Sequence, residues 1–312
     1  MEPTNSLNKK SFISILGRDF KLNGSIYLLS IPVLLFYIVF CYIPMYGVIM
    51  AFKEFEPAKG ILGSQWIGWA NFNDFFGSIF FGRVLVNTLK ISLSSIVFGF
   101  PAPILLALLI NELEKKRFQK LVQTVTYMPY FISLVVICGM IQIFTAEKGF
   151  INQIITLFGG TRSTLLNNPA NFISIYIISD IWQQAGWGSI IYLAALAGVD
   201  QSLYEAAKID GAGRLRQTWH VTLPGIMPTI ITLLVLRMGS VLNVGFEKII
   251  LLYNPSTYET ADVISSFVYR VGLQDFRYGY SAAVGLFNAV INFAMVVLAN
   301  AVSRKINGTS LW

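Results

Sequence analysis

Six long apolar stretches alternate with more polar connections along the chain, and each apolar stretch has the length that carries an α-helix across a bilayer, about twenty residues. They cover residues 25–50, 84–110, 121–145, 172–198, 225–246 and 280–302. Inside them charge is nearly absent, and the exceptions are Lys90, Asp180 and Arg237. Pro101, Pro103 and Pro129 also fall within spans, where neighbouring helices and waters satisfy the carbonyls that proline frees. The pattern predicts an all-α polytopic membrane protein with six transmembrane helices. It divides into an N-terminal segment 1–24, a transmembrane domain 25–303 and a C-terminal tail 304–312.

One polar stretch, residues 200–228 (DQSLYEAAKIDGAGRLRQTWHVTLPGIMP), is too structured for a mere connection. Ser202 and Glu205 have the spacing of a capping box. Ala206, Ala207 and Lys208 favour continued helix, and Gly211 and Gly213 stop it. A second short helix begins near Arg214 and is expected to end before Pro224, because the residue preceding a proline disfavours the helical conformation. Such a helix, turn and helix form a knob suited to a groove on another protein.

Composition agrees with the apolar pattern: 55% of residues are hydrophobic and 12% charged, against about 25% charged in soluble domains. A net charge of +7 does not imply nucleic acid, because the basic residues form no patch with interleaved aromatics. They sort by side instead. Thirteen Lys and Arg, including the Lys115–Lys120 cluster, fall on the side of the termini and of residues 200–228, and eight on the other. The positive-inside rule therefore places both termini and the knob in the cytoplasm. The first apolar run is too long for a signal peptide, so it is expected to be retained. On the opposite side, residues 54–81 carry GSQWIGWANFNDFF, whose rings suit the membrane surface or an external partner.

Catalytic and metal chemistry find no support. Cys41 and Cys138 lie in apolar runs and His220 is the single histidine, which leaves no ligand cluster or disulfide framework. No G-x-x-x-x-G-K-[ST] is present to cradle nucleotide phosphates, and no nucleophile, base and acid come together in one pattern. The chain reads as a conduit whose energy comes from a partner.

Glu205-Ala206-Ala207, then Gly211, then Leu223-Pro224 resembles the EAA loop of permease subunits of bacterial ABC importers. The string YEAAKIDGA…TLPGI.P is similar to the maltose-type, carbohydrate-import branch. FGFPAPILLALLINE, YMPYFIS, SDIWQQAGWGSIIYLAALAGVD, ADVISSFVYRVGL and the closing SLW extend the likeness to the LplB-like polysaccharide and oligosaccharide subgroup. Val221 departs conservatively from the loop's usual isoleucine. The resemblance implies a type I ABC importer permease fold whose EAA loop is a coupling helix seated in a cleft of a separate ATPase. Glu205, Ala206, Ala207, Asp210, Gly211, Ala212, Leu223 and Pro224 are then the coupling residues, with Glu205 facing an ATPase arginine. It further implies a second, homologous permease, two cytoplasmic ATPases that bind ATP and Mg, an extracytoplasmic solute-binding protein and an oligosaccharide cargo. The chain itself would hold no cofactor and would reside in the bacterial cytoplasmic membrane.

Sugars call for hydrogen-bonding groups and flat aromatic faces. Asp180, Gln183, Gln184 and Trp187 recur at three- and four-residue spacing on one stripe of the fourth span. Asn243, Phe246 and Glu247 are expected at the end of the fifth, and Tyr130 and Ser133 near Pro129. Interhelical bonding is the competing use of such groups. Asp180 and Arg237 lie at similar depths, roughly 12 and 15 Å from the outer ends of their spans, so they either pair or line the pathway. Lys90 is expected to snorkel to the interface, although an anionic, uronate-containing cargo is the other use for it. Two other classes fit the same spans: a membrane sensor or scaffold with a docking hairpin, and an ion-coupled secondary transporter.

Overall fold

The computed structural model describes residues 12–307. The first eleven residues and the closing Ser310-Leu311-Trp312 lie outside the described residues. The main helices are α1 (Phe12–Tyr37), α2 (Ile79–Ser94), α3 (Pro101–Asn111), α4 (Lys116–Tyr127), α5 (Leu134–Thr145), α6 (Phe150–Leu157), α7 (Pro169–Ala197), α8 (Gln201–Ile209), α9 (Arg214–Gln217), α10 (Leu223–Met238), α11 (Phe246–Leu252) and α12 (Tyr278–Asn307). Strands β1 (Lys53–Glu54) and β2 (Gln65–Trp66) form a short antiparallel ribbon in which Lys53 faces Trp66. The Lys53 ammonium gathers the carbonyls of Ile61 and Ser64 at 2.6 and 3.2 Å, which closes the loop between the strands.

Prolines do not end the spans. Three times, a widened turn with i→i+5 bonding sits just before one: Ile38–Tyr42 before Pro44, Ser95–Gly99 before Pro101, and Thr218–Thr222 before Pro224. A proline lacks the N–H that the regular ladder needs, and its ring crowds the carbonyl four residues back. The wider turn accommodates both defects without stopping the helix. The helix expected to end before Pro224 therefore continues, so that α9, the wide turn and α10 are one rod. Pro101 likewise opens α3 without breaking the second span.

Among the described residues, five stretches are long and apolar enough to cross a membrane: Leu22–Phe52, Ile79–Asn111, Leu134–Leu157, which is interrupted at residues 146–149, Arg214–Met238 and Tyr278–Lys305. The predicted fourth span is α7, whose 29 residues reach roughly 43 Å at 1.5 Å per residue. Its length suffices, but Asp180, Gln183 and Gln184 dilute its apolarity below the other five. α7 is also the central helix, packed on α3, α4 and α10. Side chains at Phe172, Tyr176, Gln183, Ser189, Tyr192 and Leu196 are buried along its length.

Two predicted spans are redrawn. The stretch 121–145 is not one helix: α4 ends at Tyr127, a tight turn occupies Met128–Phe131, and Ser133 caps α5 by accepting from Val136 N–H. Pro129 and the extended residue Ile132 make that break. The fifth span stops at Met238, and Phe246 and Glu247 belong to a separate short helix, α11.

Packing divides into layers. Ile104, Ala107, Tyr192, Leu196 and Ile226 join α3, α7 and α10 near the knob, while Ile137, Phe172, Ile177, Ile249 and Leu252 join α5, α7 and α11 towards the other face. In contrast, none of the most apolar window of Leu22–Phe52 is buried within the chain, which leaves its side chains to lipid or to a neighbouring subunit. One contact sets the spacing of α4 and α7: a Cβ built at Gly186 would overlap the carbonyl of Thr126. Replacing Gly186 with valine must push the two backbones apart, an overpacking cost of about 3 kcal/mol. A drop in thermal stability of the purified protein, smaller for Gly186→Ala, is the expected result, and an unchanged melting temperature would contradict the contact.

Candidate functional site

α7, the turn after α10 and α11 enclose a polar cleft with two lobes. One, about 390 Å³, is lined by Asp180, Gln183, Gln184, Asn243, Phe246 and Glu247 among others. The second, about 410 Å³, shares Asp180, Gln184 and Asn243 and adds Trp187, Arg237 and Ser95. The i, i+3, i+4 and i+7 spacing on a regular helix brings Asp180, Gln183, Gln184 and Trp187 to one side of α7. The non-helical turn at residues 239–245 swings Asn243 against them.

Asp180 and Arg237 do not pair. The Asp180 carboxylate instead accepts from the Lys248 ammonium at 3.5 Å. Lys248 also donates to the Tyr176 carbonyl at 3.4 Å and lies 5.0 Å from the centre of the Tyr176 ring. Lys248 is 3% exposed, so it belongs to the bundle interior and not to an outer loop. Its place in Phe246-Glu247-Lys248-Ile249-Ile250-Leu251-Leu252, a cation with four apolar residues after it, was the available signal. Arg237 donates to Ser95 Oγ at 2.9 Å and has no carboxylate in ion-pair range among the described residues. Its charge is therefore offered to the cleft.

The remaining candidates divide. Trp187 stacks flat on Tyr130, with ring centres 4.7 Å apart and planes 6° from parallel; the break between α4 and α5 puts Tyr130 there. Asn243 Oδ1 accepts from Asn288 and Asn292 at 2.9 and 3.3 Å, which ties the turn to α12. Gln183 is buried and its Oε1 has no hydrogen-bond partner among the described residues. Phe246 packs 5.8 Å from the Tyr269 ring. Ser133 caps α5 and lines neither lobe, and Lys90 is exposed on α2 outside the cleft.

At one end of α7 the chain forms the knob. Asp200, not Ser202, caps α8: its carboxylate accepts from Ser202 N–H at 2.9 Å, which holds its pKa below the usual carboxylate range. The expected capping box fails because the helix starts two residues earlier. At the other end, Gly211 has φ of +73°, Gly211 N–H donates to Lys208 O and Ala212 N–H to Ala207 O. This double bond pattern is a Schellman closure, which calls for a left-handed residue that glycine supplies without steric cost. Tyr204 Oη donates to Thr222 Oγ1 at 3.0 Å, which ties α8 to the wide turn within the knob, and Arg214 reaches Glu114 at 2.5 Å, fixing the knob to the α3–α4 connection. Leu203, Ile209, Leu215 and Trp219 remain largely exposed. Glu205 is exposed and in no ion pair among the described residues, Asp210 ends α8, and Leu223 and Pro224 begin α10.

A polar cleft among long apolar helices, with exposed apolar side chains on a knob at one end, is the architecture of a transport permease. Residues 99–308 match the family model described as binding-protein-dependent transport system inner membrane component, and the chain belongs to that family. It is similar to the polygalacturonan/rhamnogalacturonan transport system permease protein YteP of Bacillus subtilis (strain 168), with 43% identity over 90% of this chain and 88% of that protein. Protein LplB of the same organism is 42% identical over 97% of this chain and 94% of its own length. Among solved structures, a chain of a bacterial ABC transporter involved in the import of the acidic polysaccharide alginate superposes with a TM-score of 0.87 and 46% identity, covering 94% of this chain and 99% of that one. A second structure holds such a transporter in complex with an alginate pentasaccharide-bound periplasmic protein, at 44% identity and the same TM-score. The chain thus has the type I ABC importer permease fold and is a multi-pass membrane subunit, not an enzyme.

Proposed function

We propose that this permease moves an acidic oligosaccharide through the cleft between α7 and the α10–α11 turn, and that the knob at residues 200–228 transmits force from a cytoplasmic ATPase. The observation that carries the cargo reading is Arg237: a guanidinium with no carboxylate partner shares one cavity with the Trp187 platform, Gln184 and Asn243. An aromatic face suits the apolar side of a sugar ring, amides suit its hydroxyls, and a guanidinium suits a uronate carboxylate in bidentate fashion. The names of the relatives, which concern polygalacturonan, rhamnogalacturonan and alginate, support the same class. The chain would work beside a second, homologous permease, with two ATPases holding ATP and Mg and with a binding protein outside.

Orientation rests on charge. With Lys248 removed from the outer side because it is buried, the count becomes thirteen against seven, which favours the knob and both termini in the cytoplasm. Alternating access then follows: ATPase closure draws the knobs of the two permeases together, rocks the rods that begin at Arg214, and opens the cleft outward. Family membership displaces the sensor and secondary-transporter readings.

The test uses the assembled transporter in proteoliposomes. A charge-assisted hydrogen bond contributes about 1.5–3 kcal/mol, so Arg237→Gln is expected to lower uptake of a uronate oligosaccharide by roughly ten- to a hundredfold. A neutral oligosaccharide of equal length should respond far less. Equal losses for both sugars would remove Arg237 from cargo recognition.

A further inference from the structure

A second large cavity, about 510 Å³, lies between α5, α6 and α7. Its wall includes Ile137, Ile141, Phe144, Ile175, Ile178 and Trp182. At 100° per residue, Ile175, Ile178 and Trp182 point nearly opposite to Asp180, Gln184 and Trp187 on α7, so this groove faces away from the polar cleft. Two of the three hydroxyls that line it, with Ser174 the third, bond to their own helices: Thr145 Oγ1 donates to Ile141 O and Ser179 Oγ to Ile175 O, both at 2.7 Å. The groove therefore suits an apolar occupant and not a sugar.

At the end of α7 remote from the knob, the chain next to lining residues Thr145, Ile151 and Leu165 carries charge. Asn152, fully buried, donates to Ala146 O and to Ser163 O at 2.7 Å each and accepts from Ser163 N–H at 3.2 Å. That staple holds side by side the two segments that carry Lys148 and Arg162. Both cations are exposed and in no ion pair among the described residues; Glu147 is their acidic neighbour, which leaves a net positive rim. Between them α6 presents Phe150, Leu157 and, just beyond its end, Phe158, all well exposed, as befits a short helix resting at the boundary between headgroups and acyl chains.

We propose that this groove is a binding site for an anionic phospholipid, with one acyl chain between α5 and α7 and the headgroup phosphate held by Lys148 and Arg162. The shape favours a lipid over a protein helix. A helix about 10 Å across would use up the volume in little more than one turn, whereas the wall runs from Ile137 to Thr145, roughly 12 Å along α5, close to the depth of one leaflet. Nor would an apolar helix from a neighbouring subunit explain two free cations at the rim.

The experiment uses the assembled transporter in nanodiscs doped with phosphatidylglycerol or phosphatidylcholine that carries a photoactivatable group in one acyl chain, with adducts mapped by mass spectrometry. Phosphatidylglycerol is expected to label the groove, at residues such as Met140, several-fold more than phosphatidylcholine, while lipid-facing residues of α1 take both equally. Lys148→Gln with Arg162→Gln should abolish that preference. Ile141→Phe with Ile175→Phe, which fills the groove, should remove the groove adducts and leave those on α1. Equal labelling of the groove by both lipids would overturn the headgroup assignment. Absence of groove adducts, with α1 still labelled, would overturn the site altogether and place a neighbouring subunit over it.

Discussion

Gly211→Val will leave the protein inserted in the membrane and cut ATP-driven uptake by about tenfold or more. At +73° the φ of Gly211 lies where a side chain costs about 1–2 kcal/mol, and a β-branched residue fits there worst. No neighbouring atom lies within 4 Å of a Cβ built at this position, so the cost falls on the backbone and not on packing. Either the chain bears that strain, or the Schellman closure opens and α8 loses the bonds from Gly211 and Ala212. The strain favours the opened closure, in which Glu205, Leu203 and Ile209 no longer face a partner in one arrangement, and a shift of about 1.4 kcal/mol is already tenfold in the docking-competent population. Asparagine tolerates the left-handed region, so Gly211→Asn should keep much of the uptake. ATPase activity stimulated by the loaded binding protein is the readout. Normal stimulation in the valine variant would detach the knob from coupling.

Asp180→Asn will destabilise the protein more than Lys248→Met does, although the two remove opposite halves of one ion pair. The Lys248 side chain is 4% exposed and that of Asp180 24%. Replacing the carboxylate by an amide leaves a buried ammonium with no anionic partner beside the Tyr176 carbonyl and ring, a loss of about 3 kcal/mol. Deleting the ammonium leaves a carboxylate that the cleft can still hydrate. Asp180→Asn combined with Lys248→Met should recover most of the stability, because no buried charge is then left alone. Thermal unfolding of the four proteins in one detergent provides the cycle. Equal losses from the two single variants, with no recovery in the double, would refute a coupled pair.

That pair also marks where reasoning along the chain reaches its limit. The charges of Asp180 and Arg237 were visible, and so was the rule that intramembrane charges turn inward, but depth alone does not decide partnership. The chain leaves the fifth span at Met238 and folds back through a turn, and this brings Lys248 to Asp180 while Arg237 meets Ser95. In the same way the stripe on α7 was legible from its spacing, whereas the flat contact of Trp187 on Tyr130 depends on the break at Met128–Phe131, which apolarity conceals. Ser133 looked equivalent to Tyr130 and proved to be a helix cap. In the knob, the turn at Gly211 was readable because local backbone rules govern it, whereas the wide turn that carries the helix through Leu223-Pro224 was not. The start of α8 was misplaced because Asp200 and Ser202 are both competent caps, and only the folded chain selects one.

By itself the sequence determined what lipid and backbone impose: long apolar segments must become helices when no water can satisfy their peptides, charge must sort by side, and a glycine must occupy a left-handed turn. Those are short-range or one-dimensional constraints, and they were enough for the class of fold and for the knob. Only the tertiary structure decided which charges meet, that α7 is the polar hub among more apolar helices, that prolines sit in widened turns without ending spans, and that an apolar groove backs the cleft. Each of these depends on the direction in which one helix leaves a turn and meets another, a geometry shared by residues scores of positions apart that no local pattern records.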